Sequence, residues 1–251
     1  MKISLITAVY NREKTIQRAL ESIKSQTCKD IELVVVDGGS SDKTIDIVKS
    51  SISKSDIFIT EKDDGIYDAL NKGINISSGE IIGFLHSDDL YFDTNTLSKV
   101  SKIFLNNNDI DIVYGNAIFF KGEITSKVVR NYRSDKLSVK NLAWGKMPAH
   151  TAMFFRKRIF HDYGVFDKTY KISGDYEFLC RIMKTGRINS FYIPETLIKM
   201  QIGGISTGGL ANAMIINKEF LRACYANGIY TNLFMILSKY PSKIMQYINK
   251  Y

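Results

Sequence analysis

Cysteine is scarce. Cys28, Cys180 and Cys224 stand far apart in 251 residues. That spacing offers neither a disulfide framework nor a metal cluster, and it fits a reducing, cytoplasmic setting. No run of 18 apolar residues occurs, so no membrane-spanning helix is expected. The apolar start MKISLITAVY lacks a small-residue cleavage site and reads as a first buried strand rather than a signal peptide. No strand is followed by G-x-G-x-x-G or by G-x-x-x-x-G-K-[ST], which argues against a dinucleotide oxidoreductase and a P-loop NTPase. Arg/Lys-rich arms and Cys/His finger spacings are also missing. Nucleic acid is therefore not an expected partner, despite a net charge of +8. No internal repeat, low-complexity tract or clear linker interrupts the chain.

What is present is an alternation. ISLITAVY (Ile3–Tyr10) reads as a strand buried on both faces. Ile16, Ala19, Leu20 and Ile23 then recur at the spacing of an amphipathic helix. IELVVVD, DIFITE, EIIGFLH and IDIVYGNAIFF are four further strands, with helical patterns between them. Strands alternating with helices predict an α/β fold, a mostly parallel sheet with helices on both faces. Ligands of such sheets bind beyond the carboxyl ends of the strands.

Three of the first four strand ends carry acids: Asp37-Gly38-Gly39, Asp63-Asp64-Gly65 and Asp88-Asp89. The first ends in Tyr10-Asn11-Arg12. Acids gathered on one edge repel unless a cation or a hydroxyl-rich ligand meets them. A diphosphate-bound divalent cation needs only one or two carboxylates, because phosphate and water complete its shell. Alone, Ser87-Asp88-Asp89 reads better as turn and capping residues; after a buried strand in an α/β pattern with two other acidic ends, it favours a site. Asp175 follows Gly174 at a predicted helix start. It serves equally as a helix-capping acid or as a general base. His150 precedes the apolar strand AMFF, and a lone histidine is more often structural. Trp144, the only tryptophan, fits core packing better than an aromatic wall for a sugar. His86 has no partner pattern.

The ordered segments ITAVYNREKTIQRALESIKSQT, IELVVVDGGSSDKT, EKDDGIYDALNKGINISSGEIIGFLHSDD, HTAMFFRK and SGDYEFLCRI resemble family 2 glycosyltransferases of the GT-A fold, over roughly the first 200 residues. The EKDDGIYDALNKG segment is similar to bacterial members that build surface polysaccharides. The resemblance implies a nucleotide site lined by Thr7, Ala8, Tyr10 and Asn11. It places Asp37 on the uracil or ribose side, Asp64 and Lys72 at the nucleotide border, and Asp88 on ribose. It implies Asp89 as the ligand of Mn2+ or Mg2+, and Asp175 as catalytic base. Gly174 replaces the acid usual before that base, which leaves Glu177 as a fallback; His86 replaces the first acid of the usual Asp-x-Asp-Asp. Trp144, His150 and Glu177 are candidates for the acceptor or the donor sugar.

The expected reaction is inverting transfer from a nucleotide sugar, UDP-linked by expectation, to a glycan or lipid-linked hydroxyl. A nucleotidyltransferase is the runner-up, but TAVYNREKT lacks the Gly-rich basic loop it needs after the first strand. A non-catalytic glycan-binding protein would have no reason to keep Asp37, Asp88, Asp89 and Asp175 together. The expected division is a catalytic domain at 1–205, with a nucleotide half to about 115, and a helical extension at 206–251. Lys239, Lys243 and Lys250 lie among apolar residues there. Peripheral contact with the inner face of the cytoplasmic membrane and plain helix packing account for them equally.

Overall fold

The computed structural model describes residues 1–122, 128–134, 136–203 and 209–241. β1 (Ile3–Val9), β2 (Ile31–Asp37), β3 (Ile57–Thr60) and β4 (Ile81–Phe84) are parallel and ordered β3-β2-β1-β4. Ile3 pairs with Ile31 on one side and Ile81 on the other, and Asp37 pairs with Val9 and Thr60. This register brings the acidic strand ends to one edge. The connections are α1 (Ile16–Lys24), α2 (Thr44–Ser51) and α3 (Ile66–Ile76), and α4 (Thr96–Asn106) follows. α1 buries Ile16, Ala19, Leu20 and Ile23, as the periodicity requires.

Alternate residues of the strands feed two cores. Ile6, Val34, Val36 and Phe84 meet Leu70 of α3 on one face. Leu5, Val9, Leu33 and Val35 meet Leu20 of α1 on the other. Both faces are thus apolar, which is why these strands read as continuous hydrophobic runs.

The second half departs from a simple parallel extension. The fifth predicted strand, β6 (Ile112–Phe120), does not lie beside β4. β8 (Met153–Arg156) enters between them, antiparallel to both. Met153, Phe154 and Phe155 are all buried, and an unbroken apolar run needs cover on both faces. β9 (Ser190–Gln201) runs parallel to β6, and β5 (Leu90–Tyr91) pairs antiparallel with β9. β7 (Val128–Tyr132) returns antiparallel on β6; Phe119–Ile124 reads in the sequence as a hairpin turn between strands, of which Glu123 and Ile124 lie outside the described residues.

α5 (Val139–Ala143), α6 (Arg158–Tyr163) and α7 (Gly174–Lys184) cover the same face as α3. The tail, expected as a helical extension at 206–251, reads as helical from Ala211 to Tyr251. It forms α8 (Gly209–Ala226), breaks at Gly228 (φ +63°) and resumes as α9 (Leu233–Leu237). Phe220, Ala223, Cys224 and Ile236 join the core that contains Phe84 and Tyr176, and Phe220 stacks on Tyr176 at 3.7 Å. Lys239 turns inward, its ammonium 3.9 Å from the Phe220 ring centre, so it does not offer charge to a lipid surface. Lys243, Lys250 and residues 204–208, the middle of the Gly-rich stretch Gly203–Gly209 that reads as a loop and contains the 205/206 boundary, lie outside the described residues.

Candidate active site

At the β2 end, Asp37 is fully buried. Its carboxylate accepts the N–H groups of Gly39 (3.0 Å) and Ser40 (2.9 Å) and the hydroxyls of Ser40 and Thr60 (2.8 Å to Thr60). Asn11, beyond β1 with φ +50°, donates its N–H to the Ser40 hydroxyl (2.8 Å) and accepts from Ser41 N–H (2.9 Å). Asp37 and Asn11 therefore brace two strand-end loops against each other. Thr7 is buried, Ala8 half-buried and Tyr10 exposed beside them.

At the β3 end the two acids separate. Asp64 is 86% exposed and 3.9 Å from Lys168 Nζ. Asp63 lies against Gly38, where a β-carbon would stand 2.4 Å from Asp63 Oδ2. A side chain at 38 would push the Asp63 carboxylate from this place. The carboxylate beside the Asp37 turn is thus Asp63, while Asp64 points to solvent. Lys72 is held by Glu61 (2.7 Å) and Asp68 (3.3 Å), and these bonds raise its pKa. It ties α3 to the end of β3.

The β4 end splits its pair as well. Asp88 is half-buried and lines a cavity of about 390 Å3 with Asn11, Arg12, Lys14, Asp42 and Gln201. Asp89 is 2% exposed and turns inward, accepting from the Thr151 hydroxyl (3.1 Å) and Gln201 N–H (3.3 Å). Burial, then the Asp88 charge, pushes the Asp89 carboxyl well above the usual range. The Asp88 charge thus bears on its neighbour, and burial and repulsion together favour the protonated form of Asp89 beside the half-buried Asp88. His86 stands between this end and α7, in electrostatic reach of Asp88 and Asp175. Burial and the neighbouring His150 hold its imidazole at about 4, so it is neutral at pH 7. The two imidazoles lie 5.6 Å apart, and His150 packs on Phe84 at 4.7 Å.

Asp175 sits in the first turn of α7. Its Oδ1 accepts Tyr176 N–H (2.9 Å) and lies 3.1 Å from the Tyr67 hydroxyl. Burial raises its pKa, and the bonds from Tyr176 and Tyr67 oppose that rise. The loop before it is clamped by Glu219 of α8, whose carboxylate accepts the N–H groups of Lys171 (2.6 Å), Ile172 (3.0 Å) and Ser173 (2.8 Å). Glu177 faces away, two residues on. Both its oxygens bind Arg181 at 3.0 Å, which leaves the fallback base committed to a structural pair. Trp144 packs against the core rather than forming a free wall.

The edge therefore gathers Asp63, Asp88, His86, His150 and Asp175, while Asp64, Glu177 and Trp144 point elsewhere. Tyr67 and Glu219 were not singled out in the sequence, and Asp63 was noted there only as part of an acidic strand end, without a role. Tyr67 reads there as one more apolar residue of α3, and Glu219 as a lone acid in a helix. Among the described residues no three His, Cys, Asp or Glu groups form a metal cluster. Asp88 still presents one carboxylate to the cavity, which suits a hard cation already carrying a diphosphate.

Residues 4–164 match the family described as glycosyl transferase family 2. A PGL/p-HBAD biosynthesis glycosyltransferase of Mycobacterium bovis is 30% identical over 223 residues, 87% of this chain and 82% of that protein. An uncharacterized glycosyltransferase of Rickettsia typhi is 29% identical over 83% of this chain and 66% of its own. S. aureus TarS 1-349 in complex with UDP-GlcNAc is similar in fold, with TM-score 0.67 and 19% identity over 90% of this chain and 73% of that one. Mannosyltransferase PcManGT from Pyrobaculum calidifontis, in complex with GDP-Man and Mn2+, gives 0.66 and 18% identity over 91% and 64%. The fold shared with these structures is the expected GT-A type, and with the family match over residues 4–164 it makes this chain a family 2 glycosyltransferase.

Proposed function

We propose that the chain transfers a monosaccharide, with inversion, from a UDP-sugar to a hydroxyl of a glycan or lipid-linked acceptor in surface-polysaccharide synthesis. The observation that carries this reading is one sheet edge holding two carboxylates of different character: Asp88, wet and in a cavity with Arg12 and Lys14, and Asp175, sheltered at a helix start. The cavity volume lies in the range of small-molecule sites. Asp63 and the Asp37 turn border the nucleoside. Arg12 and Lys14 supply positive charge toward the diphosphate. Asp88, rather than the inward-facing Asp89, would hold Mn2+ or Mg2+ together with the diphosphate. Such an ion neutralises charge on the leaving nucleoside diphosphate.

Asp175 takes the proton of the acceptor hydroxyl as its oxygen attacks the anomeric carbon. The new C–O bond forms on one face. The bond to phosphate breaks on the other, and its electron pair leaves with the nucleoside diphosphate. Attack opposite the leaving group inverts the centre. Incubation with Mn2+ and a panel of nucleotide sugars should release UDP from one donor. Asp175→Asn should abolish transfer while donor binding survives; equal loss of both would remove Asp175 from the base role. Release of pyrophosphate from a nucleoside triphosphate and a sugar 1-phosphate, with no nucleoside diphosphate freed from any nucleotide sugar, would favour the nucleotidyltransferase.

Among the described residues no helix is long and apolar enough to cross a membrane. Leu210, Met214, Tyr230, Leu233 and Phe234 are nevertheless exposed on α8, α9 and their connection. We place this apolar surface against the inner face of the cytoplasmic membrane, where a lipid-linked acceptor would lie. Flotation with anionic liposomes should fail for Leu233→Asp/Phe234→Asp. Unchanged flotation, or none by the parent protein, removes membrane contact from this reading. Truncation would not test it, because Thr231 and Ile236 are built into the core.

A further inference from the structure

We propose that Tyr67 is a positioning residue for Asp175, and that Gly174 is glycine so that the Tyr67 ring can reach it. The inference rests on the reading of Asp175 as the base.

Three observations meet here. First, a β-carbon at residue 174 would stand 2.9 Å from Tyr67 Cε2 and 3.0 Å from Cδ2 and Cζ. The ring has little freedom to retreat, because it is 5% exposed and packs on Phe166 at 5.6 Å. Any side chain at 174 must therefore displace the phenol. Second, the Tyr67 hydroxyl has one proton and two acceptors in reach, Ile172 O at 2.6 Å and Asp175 Oδ1 at 3.1 Å. Third, Tyr176 N–H also reaches Oδ1, so both contacts fall on the same oxygen. They fix the carboxylate plane and leave Oδ2 for the acceptor hydroxyl.

The single proton of Tyr67 explains how this support follows the reaction. While Asp175 is ionised, the phenol donates to Oδ1 and favours the charged, proton-accepting form in a site where burial opposes it. Once Oδ2 has taken the acceptor's proton, the carboxyl is neutral and a weaker acceptor. The phenol proton can then turn to Ile172 O. That carbonyl belongs to the loop that Glu219 pins through its N–H groups, so the alternative acceptor stays in place. The departure from the family's usual acid at 174 is thereby accounted for: a side chain there would occupy the space of the phenol.

The titratable groups facing Asp175 are Tyr67 from α3 and His86 from the loop after β4. Tyr67→Phe keeps the ring and removes the bond. Donor KM should stay within about twofold, while plateau kcat falls about tenfold and the acid limb of kcat moves up by about one pH unit, the size of one charge-assisted bond. Gly174→Ala should shift the limb in the same direction, and adding it to Tyr67→Phe should shift it no further. Thermal midpoints recorded alongside separate loss of fold from loss of positioning. An unmoved acid limb in folded Tyr67→Phe overturns the inference. If Asp175→Asn still abolishes transfer in that case, the base reading stands alone. If Asp175→Asn retains transfer, both fall.

Discussion

At the amino edge of the sheet, Glu32 is buried among donors; at the carboxyl edge, Asp89 is buried and Asp175 half-buried, each among few. Glu32 is 4% exposed and accepts from Ser4, from Ser78 through both N–H (2.7 Å) and hydroxyl (2.6 Å), and from Lys2 (3.0 Å). Burial alone would raise its pKa, but these bonds outweigh it and hold the carboxyl at about 2. Asp89 and Asp175 keep the rise that burial causes. The same functional group thus stabilises one edge and is left under-compensated on the other. An acid whose charge is fully met cannot take a proton near neutral pH. A base must be left partly unmet, at some cost in stability.

The sharpest way to break this comparison is at Asp175. Asp175→Asn should lower transfer by about 10^2–10^4-fold, measured as UDP release with acceptor present. Glu32→Gln should leave the kinetics intact and lower stability by on the order of 2 kcal/mol at pH 7 in urea titrations. Because the folded pKa of Glu32 lies below its free value of 4.5, that stability is present above pH 4.5 and is lost as the pH falls toward 2. The two proteins should therefore converge in acid. Asp88→Asn should weaken Mn2+-dependent UDP binding about tenfold by calorimetry, whereas Asp89→Asn should not.

Asp89 has the opposite linkage to Glu32. Its folded pKa is raised, so stability is complete below the free value near 3.8 and declines as the pH rises. Asp89→Asn should raise the thermal midpoint by about 2–4 °C at neutral pH, with the gain shrinking in acid. Asp64→Asn, at a solvated position, should change UDP affinity less than about twofold; Asp63→Asn should change it more. Equal effects would erase the distinction drawn between these neighbours.

Much of the first half of the chain was legible in the residues. The runs at Ile3, Ile31 and Ile81 are apolar throughout because both faces of the sheet are covered. Their acidic ends could be listed before any coordinates. The place of β8 was not legible. MFF reads as a strand, but nothing local says that it inserts between β4 and β6. Nor could the tail's role be read, because Glu219 acts on the backbone of Lys171–Ser173, 46 to 48 residues away.

The sequence by itself determined the alternation of strands and helices and the edge on which acids collect, and it made Asp88 and Asp175 candidates. Hydrophobic period and turn chemistry act over a few residues, so they can be read along the chain. Tertiary structure alone decided which way each acid of a pair faces. At Asp63-Asp64 the choice follows from the space above Gly38, and at Asp88-Asp89 from donors on Thr151 and β9. It also decided that Tyr67 reaches Asp175. Protonation and direction depend on burial and on partners brought from distant segments, and those exist only once the chain has folded.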